Sequence, residues 1–143
     1  MIEQSYVMVK PEFADIPEAI AEVKKRILAT GMEIIEEQFI NYTAEDARKH
    51  YSDYVEKDWY APLEEYITGS KAYGMVIQGE NAISVIRSIT GATKNPAPGS
   101  IRYDIPTSLG LEIRVTQNVI HSSDAPETAA KEIKIFRDIC ARK

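Results

Sequence analysis

The apolar run Tyr6-Val7-Met8-Val9 ends on Lys10-Pro11, and that ending most constrains what this chain can fold into. Proline has no N–H to give a ladder and fixes its own φ, so a buried strand must stop there. The residues that follow form a helix. Asp15-Ile16-Pro17-Glu18 supplies an N-cap, an early proline and an acidic first turn. Ile16, Ile20, Val23 and Ile27 then recur at helical spacing, and Gly31 offers a left-handed stop.

A second strand is expected from Glu33 to Asn41, paired beside the first. Thr43-Ala44-Glu45-Asp46 has the form of a capping box and opens a helix carrying Arg48, His50, Tyr51 and Tyr54. A break from Asp58 to Pro62 leads to a short helical segment ending at Gly69. Tyr73 to Gln78 reads as a strand, and Gly79-Glu80-Asn81 turns into a helix through Ala82, Ile83, Val85, Ile86 and Ile89. Pro96, Pro98, Gly99 and Pro106 mark Gly91 to Gly110 as a long irregular loop, a kind that is usually functional or disordered. Val115 to His121 is expected as the last strand. Asp124-Ala125-Pro126-Glu127 caps a closing helix with Ala129, Ile133, Phe136 and Cys140 on its apolar face. The order is βαββαβ. It predicts an α+β fold of ferredoxin-like type, a four-stranded antiparallel sheet covered by helices on one face.

At 143 residues, 44% hydrophobic and 27% charged, the sequence suits a single domain spanning 1–143. No run approaches the ~18 apolar residues of a membrane span. Met1-Ile2-Glu3-Gln4 lacks the basic start of a secretion signal, so a cytoplasmic location is expected. The lone Cys140 excludes an internal disulfide and a thiolate zinc cluster, and two histidines give little for a His-rich metal site. A net charge of −5 argues against nonspecific nucleic-acid binding, which depends on many cations meeting phosphates. The charge is unevenly spread, however. From Arg87 to Arg102 the cations Arg87, Lys94 and Arg102 occur with no acidic residue between them, which suits a small phosphorylated ligand.

The segment Asn118-Val119-Ile120-His121-Ser122-Ser123-Asp124 places an imidazole where an apolar run ends. Neutral imidazole is nucleophilic near physiological pH and is a good leaving group once modified. A lone histidine at a strand end more often packs or caps, so this segment does not decide the matter alone.

Taken together, Tyr6-Val7-Met8-Val9-Lys10-Pro11-Glu12, His50-Tyr51, Gly79-Glu80-Asn81-Ala82, Gly91-Ala92-Thr93, Pro98-Gly99-Ser100-Ile101-Arg102 and the His121 segment resemble the nucleoside diphosphate kinase family in order and spacing. The resemblance covers nearly the whole chain and implies the same βαββαβ fold. It also implies ping-pong transfer of a γ-phosphoryl group from a nucleoside triphosphate to a nucleoside diphosphate through a phosphohistidine at His121. It gives Arg87, Thr93 and Arg102 to the phosphates, Lys10 and Asn118 to the ribose hydroxyls, with Lys10 also approaching the transferring phosphate, and Trp59 to stacking on the nucleobase. Tyr51 would approach the histidine, Glu132 would hold its other ring nitrogen, and Ser123 would orient Glu132. Mg2+ would arrive on the nucleotide phosphates of ATP or its relatives and need no protein carboxylates.

The sequence also departs from the family pattern. Glu12-Phe13-Ala14-Asp15-Ile16-Pro17 replaces a glycine-rich turn, Trp59-Tyr60-Ala61-Pro62 replaces a double aromatic followed by proline and glycine, and Tyr103 stands where glycine is usual. A ring at Tyr103 would narrow or re-aim the phosphate site. The loop after Thr93 is shorter than usual and Ile105 to Gln117 longer, as in archaeal-type members. The tail after Phe136 is also abbreviated; the loop after Thr93 and this tail join subunit contacts in the family, whose resemblance implies a homo-oligomer built from dimers, a hexamer ahead of a tetramer or dimer. A second reading keeps the fold as a nucleotide-binding or interaction module that has lost turnover.

Overall fold

In β1 (Ile2–Val9) the five residues from Ser5 to Val9 are fully buried, which demands cover on both faces of the sheet. Val7 and Val9 point into one apolar layer, Tyr6 and Met8 into the other. The computed structural model describes residues 2–114 and 118–142. After β1 come α1 (Pro11–Ala14), α2 (Pro17–Ala29), β2 (Glu33–Ile40), α3 (Ala44–His50), a 3-10 turn over Ser52–Tyr54 and α4 (Tyr60–Thr68). They are followed by β3 (Ala72–Glu80), α5 (Ala82–Thr90), α6 (Ile101–Ser108), β4 (Ile120–Ser122) and α7 (Pro126–Ala141).

The sheet has four strands in the order β2-β3-β1-β4, every neighbouring pair antiparallel. The expected βαββαβ order is therefore present, but β2 does not pair with β1. A helical crossover returns β2 parallel to β1 and one strand away, and β3 fills the gap by bonding antiparallel to both. Helices cover both faces of the sheet, against the expectation of one. Phe13, Val23, Ile27, Ile86, Ile101 and Ile105 from α1, α2, α5 and α6 pack on the Val7 side. Ala47, Leu63, Ile67, Ile133, Phe136 and Ile139 from α3, α4 and α7 pack on the Tyr6 side. Large side chains of this kind contribute roughly 1.5–3 kcal/mol each on burial. Among the described residues no helix is long and apolar enough to cross a membrane.

Several local expectations change. Pro11 starts the short α1, so Asp15 ends that helix and Ile16, not Asp15, occupies the N-cap of α2. Asp124 is likewise displaced as a cap by Ala125, because Pro126 already sits in the first turn of α7. The helix opened by Thr43 does carry a full capping box, but it stops at His50, and Tyr54 lies in the 3-10 turn. The region expected as an irregular loop contains α6, started by Ser100 accepting from Tyr103 N, with Pro106 inside it. The last strand is only Ile120–Ser122, and of the stretch expected as strand, residues 115–117 lie outside the described residues.

Candidate active site

Because β4 pairs with β1, His121 lies opposite Met8 and on the same face as Tyr6, toward α3 and α7. Lys10, two residues beyond Met8, follows the same alternation and emerges on that face. Val119 precedes the strand with φ of +81°, a conformation costly for a β-branched residue. The fold holds it there through Lys10 N–H donating to Val119 O at 2.8 Å. Asn118, Val119 and His121 are thus fixed against the end of β1.

These residues open onto a cavity of about 560 Å³ lined by Lys10, Tyr51, Tyr54, Trp59, Leu63, Thr93, Lys94, Arg102, Asn118 and His121. That volume suits a small-molecule ligand. Seven of the residues to which the resemblance gives a role meet here, together with Lys94 of the cationic stretch. Arg87 does not line the cavity: it is exposed on α5, with Nη1 donating to Ser122 O at 3.4 Å. Its charge still depresses both Arg102 and His121. Ser123 and Glu132 lie behind the histidine.

Lys10 is buried, and its Nζ donates to Asn118 Oδ1 at 2.8 Å. Burial, helped by the nearby Arg102 charge, brings its ammonium down to about 7. Arg102 is also buried and is aimed by two backbone carbonyls, Nη1 to Gly91 O at 3.0 Å and Nη2 to Ile120 O at 2.9 Å. Its Nε is buried with no acceptor. Burial, then Arg87, lowers the guanidinium to about 10, which leaves it charged at neutral pH. Gly91 makes this aim feasible: its φ is +98°, and a Cβ there would stand 2.5 Å from Ser100 Oγ.

His121 Nε2 lies 2.8 Å from Glu132 Oε2, and Ser123 Oγ donates to Glu132 Oε1 at 2.7 Å. An ionised carboxylate only accepts, so Nε2 carries the ring proton and Nδ1 keeps the lone pair. Burial, and after it the charges of Lys10, Arg102 and Arg87, hold His121 well below the ordinary imidazole range. The ring is therefore neutral at pH 7. Burial pushes the Glu132 carboxyl up, opposed by His50 and the Ser123 hydroxyl.

Tyr103 turns out to line an adjoining hollow with Thr93, Lys94, Pro96 and Arg114, so it does not narrow the cavity before His121. Trp59 is 53% exposed at the rim, its ring 5.4 Å from that of Tyr54. Sequence reasoning gave no role to Tyr54 or His50. His50 is buried, with its ring centroid 4.6 Å from that of His121. The sequence signal for it was the His50-Tyr51 pair closing a capped helix.

Among the described residues lining the cavity there is no carboxylate, while Lys10, Lys94 and Arg102 are cations. Such a surface takes an anion. A divalent ion fits it only as part of a phosphate complex. The group His50, His121 and Glu132 has donor atoms within 4.8 Å of one another, but His121 and Glu132 are already joined by their own hydrogen bond.

Known proteins share both the sequence and the fold. The family model described as nucleoside diphosphate kinase matches residues 3–139. A nucleoside diphosphate kinase of Methanosarcina acetivorans is 40% identical over 147 residues, covering 96% of this chain and 89% of its own. One from Staphylococcus epidermidis is 37% identical over 138 residues, covering 94% and 87%. The halophilic nucleoside diphosphate kinase of Halobacterium salinarum, solved in complex with CDP, superposes with a TM-score of 0.85 at 28% identity, covering 95% of this chain and 88% of that one. The enzyme of Aquifex aeolicus gives 0.82 at 28% identity, covering 95% of each chain. With a family model over nearly its whole length and relatives of the same fold, the chain belongs to the nucleoside diphosphate kinase family, a family of phosphotransferases.

Proposed function

We propose that this protein exchanges the γ-phosphoryl group between nucleoside tri- and diphosphates in two half-reactions through His121 Nδ1. The observation that carries the reading is the division of labour on that ring. Glu132 occupies Nε2, and the ring borders a cavity whose other walls include Lys10 and Arg102. In the first half-reaction the Nδ1 lone pair forms the N–P bond while the bond from γ-phosphorus to the β–γ bridging oxygen breaks, and the diphosphate leaves. Nε2 keeps its proton throughout, so no proton has to move. A second diphosphate then takes the phosphoryl group by the reverse path.

Arg102 brings a planar fork to the phosphate oxygens, with its buried Nε as the donor still unmatched. Thr93 adds a hydroxyl and Arg87 a more distant positive charge. Lys10 and Asn118, already bonded to each other, present one polar edge for ribose hydroxyls. Trp59 offers a π-face that every base can use, which favours broad nucleotide specificity. Tyr51 closes the cavity beside the histidine. The CDP bound by the Halobacterium salinarum relative supports a nucleoside diphosphate as occupant. Mg2+ held by the β- and γ-phosphate oxygens would neutralise developing charge there. The cations Lys10, Lys94 and Arg102 in the cavity wall suit such a phosphate complex.

The chain is taken as one domain acting in the cytoplasm as a homo-oligomer, a hexamer first. A monomer by light scattering at micromolar concentration would exclude that assembly. The reading of a module without turnover rested on Tyr103 and the altered loops, and Tyr103 faces the adjoining hollow. Incubation with γ-labelled ATP tests the mechanism: an acid-labile, base-stable protein phosphate should form and be discharged by ADP or GDP. His121→Ala acquiring the same label would sink it.

A further inference from the structure

His50 has no part in the chemistry described so far, yet its side chain is fully buried between three tyrosines and His121. It sits on α3, opposite the cavity, and does not line it. Its Nδ1 is 3.4 Å from Tyr42 Oη, and Tyr42 Oη is 2.8 Å from Tyr6 Oη. Its Nε2 is buried without a hydrogen-bond partner, 3.4 Å from Glu132 Oε2.

Two tautomers fit these distances, and their energies differ. With the proton on Nδ1, a nitrogen lone pair would face a buried carboxylate oxygen, which is repulsive at low local dielectric. With the proton on Nε2, Tyr6 donates to Tyr42, Tyr42 donates to His50 Nδ1, and the His50 N–H lies beside Glu132. Every group in the row then has a compatible role.

We infer that His50 is a positioning residue for phosphoryl transfer: by holding its Nε2–H beside Glu132 it keeps that carboxylate ionised, and so keeps the lone pair of His121 on Nδ1. This rests on the proposed role of His121. If the His121–Glu132 pair takes up one more proton, that proton ends on the imidazole, or on Glu132 with His121 retautomerised. In both cases Nδ1 is protonated and cannot attack. Polar groups that favour the ionised Glu132 therefore protect the nucleophile, and there are two besides His121: Ser123, which donates to Oε1, and the His50 N–H, 3.4 Å from Oε2 and short of a hydrogen bond.

Other groups bear on this pair from every packed element. Lys10 from β1, Arg102 from α6 and Arg87 from α5 repel an added proton on His121, while Asp124 ahead of α7 favours one. Lys131 on α7 favours the ionised carboxylate, and Asp124 opposes it. On the far side Tyr6, Tyr42 and Tyr51 stay neutral, each raised chiefly by burial. None of these replaces the His50 N–H beside Oε2.

The test compares His50→Phe, which keeps a ring but no N–H, with His50→Gln, whose amide can still donate to Glu132. In the phosphoryl-exchange assay the acid limb of kcat should move up in His50→Phe, by up to about one pH unit, as a polar group is lost beside a buried charge. It should stay nearer the wild type in His50→Gln. KM for the nucleotide should change less than about twofold in both, because His50 lies outside the cavity. Nitrogen-15 NMR of the wild type provides a check independent of how the variants fold, and should find His50 as the Nε2–H tautomer at neutral pH. A His50 proton on Nδ1, or a His50→Phe acid limb at the wild-type position, overturns the inference. A wild type that never acquires label from ATP defeats the reading of His121 itself, whereas a labelled wild type with an unshifted His50→Phe defeats only this inference.

Discussion

Glu132 Oε2 and His121 Nε2 stand 2.8 Å apart across the junction of α7 and β4, with the carboxylate buried and the ring partly open to the cavity. Eleven residues of chain separate them, and the contact assigns opposite tasks to the two ring nitrogens.

Replacing that carboxylate should therefore slow chemistry more than binding. Glu132→Gln can offer an amide N–H to Nε2, which favours the tautomer with its proton on Nδ1. Single-turnover phosphorylation by ATP is expected to fall on the order of 10²-fold. The dissociation constant for ADP should change little, because Glu132 does not line the cavity. Equal loss in both measurements would contradict the assignment.

Arg102 answers to two backbone carbonyls and presents a fork that lysine lacks. Arg102→Lys should keep the positive charge and still lose at least tenfold in kcat/KM. It also leaves Gly91 O or Ile120 O unmatched, for an expected loss of about 1–3 kcal/mol in stability by denaturant titration. An unchanged kcat/KM would show that charge alone suffices.

Lys10 is held at about 7 by burial and by Arg102, below the free-lysine value near 10.4. Only its protonated form attracts phosphate, and a bound anion raises the lysine again. ADP affinity should thus weaken as pH rises from 7.5 to 9, approaching about tenfold per pH unit. Calorimetric titration across that range checks it. Lys10→Gln should bind more weakly and with a flatter pH dependence.

His50 and His121 are both held below the ordinary imidazole range, burial being the leading cause for each. The unfolded chain binds protons at these sites near pH 6.5 and the folded chain does not. Stability is therefore complete above that pH and declines as pH falls below it. Melting temperature should drop between pH 6.5 and 5, above the range where most carboxylates titrate, and His50→Gln should reduce the slope. A flat profile in both proteins would exclude buried neutral histidines.

The sequence alone determined the fold class, because strand and helix periods, prolines and caps act locally: Lys10-Pro11 ended β1, Thr43 and Asp46 capped α3, and Gly31 closed α2. It also singled out residues that meet in one cavity, since the order of motifs resembled a known family. Only tertiary structure decided what depends on partners distant in the chain. Strand order was one such matter, with β3 between β1 and β2. Another was the direction of Tyr103, which a residue pattern cannot specify. Arg87 stood in register with the phosphate-binding residues, yet its position on α5 sets it outside the cavity wall. His50 and Glu132 are 82 residues apart and come within 3.4 Å because α3 and α7 pack on the same face of the sheet. Burial there removes water from both, so a contact with no signature along the chain becomes an electrostatic constraint on His121.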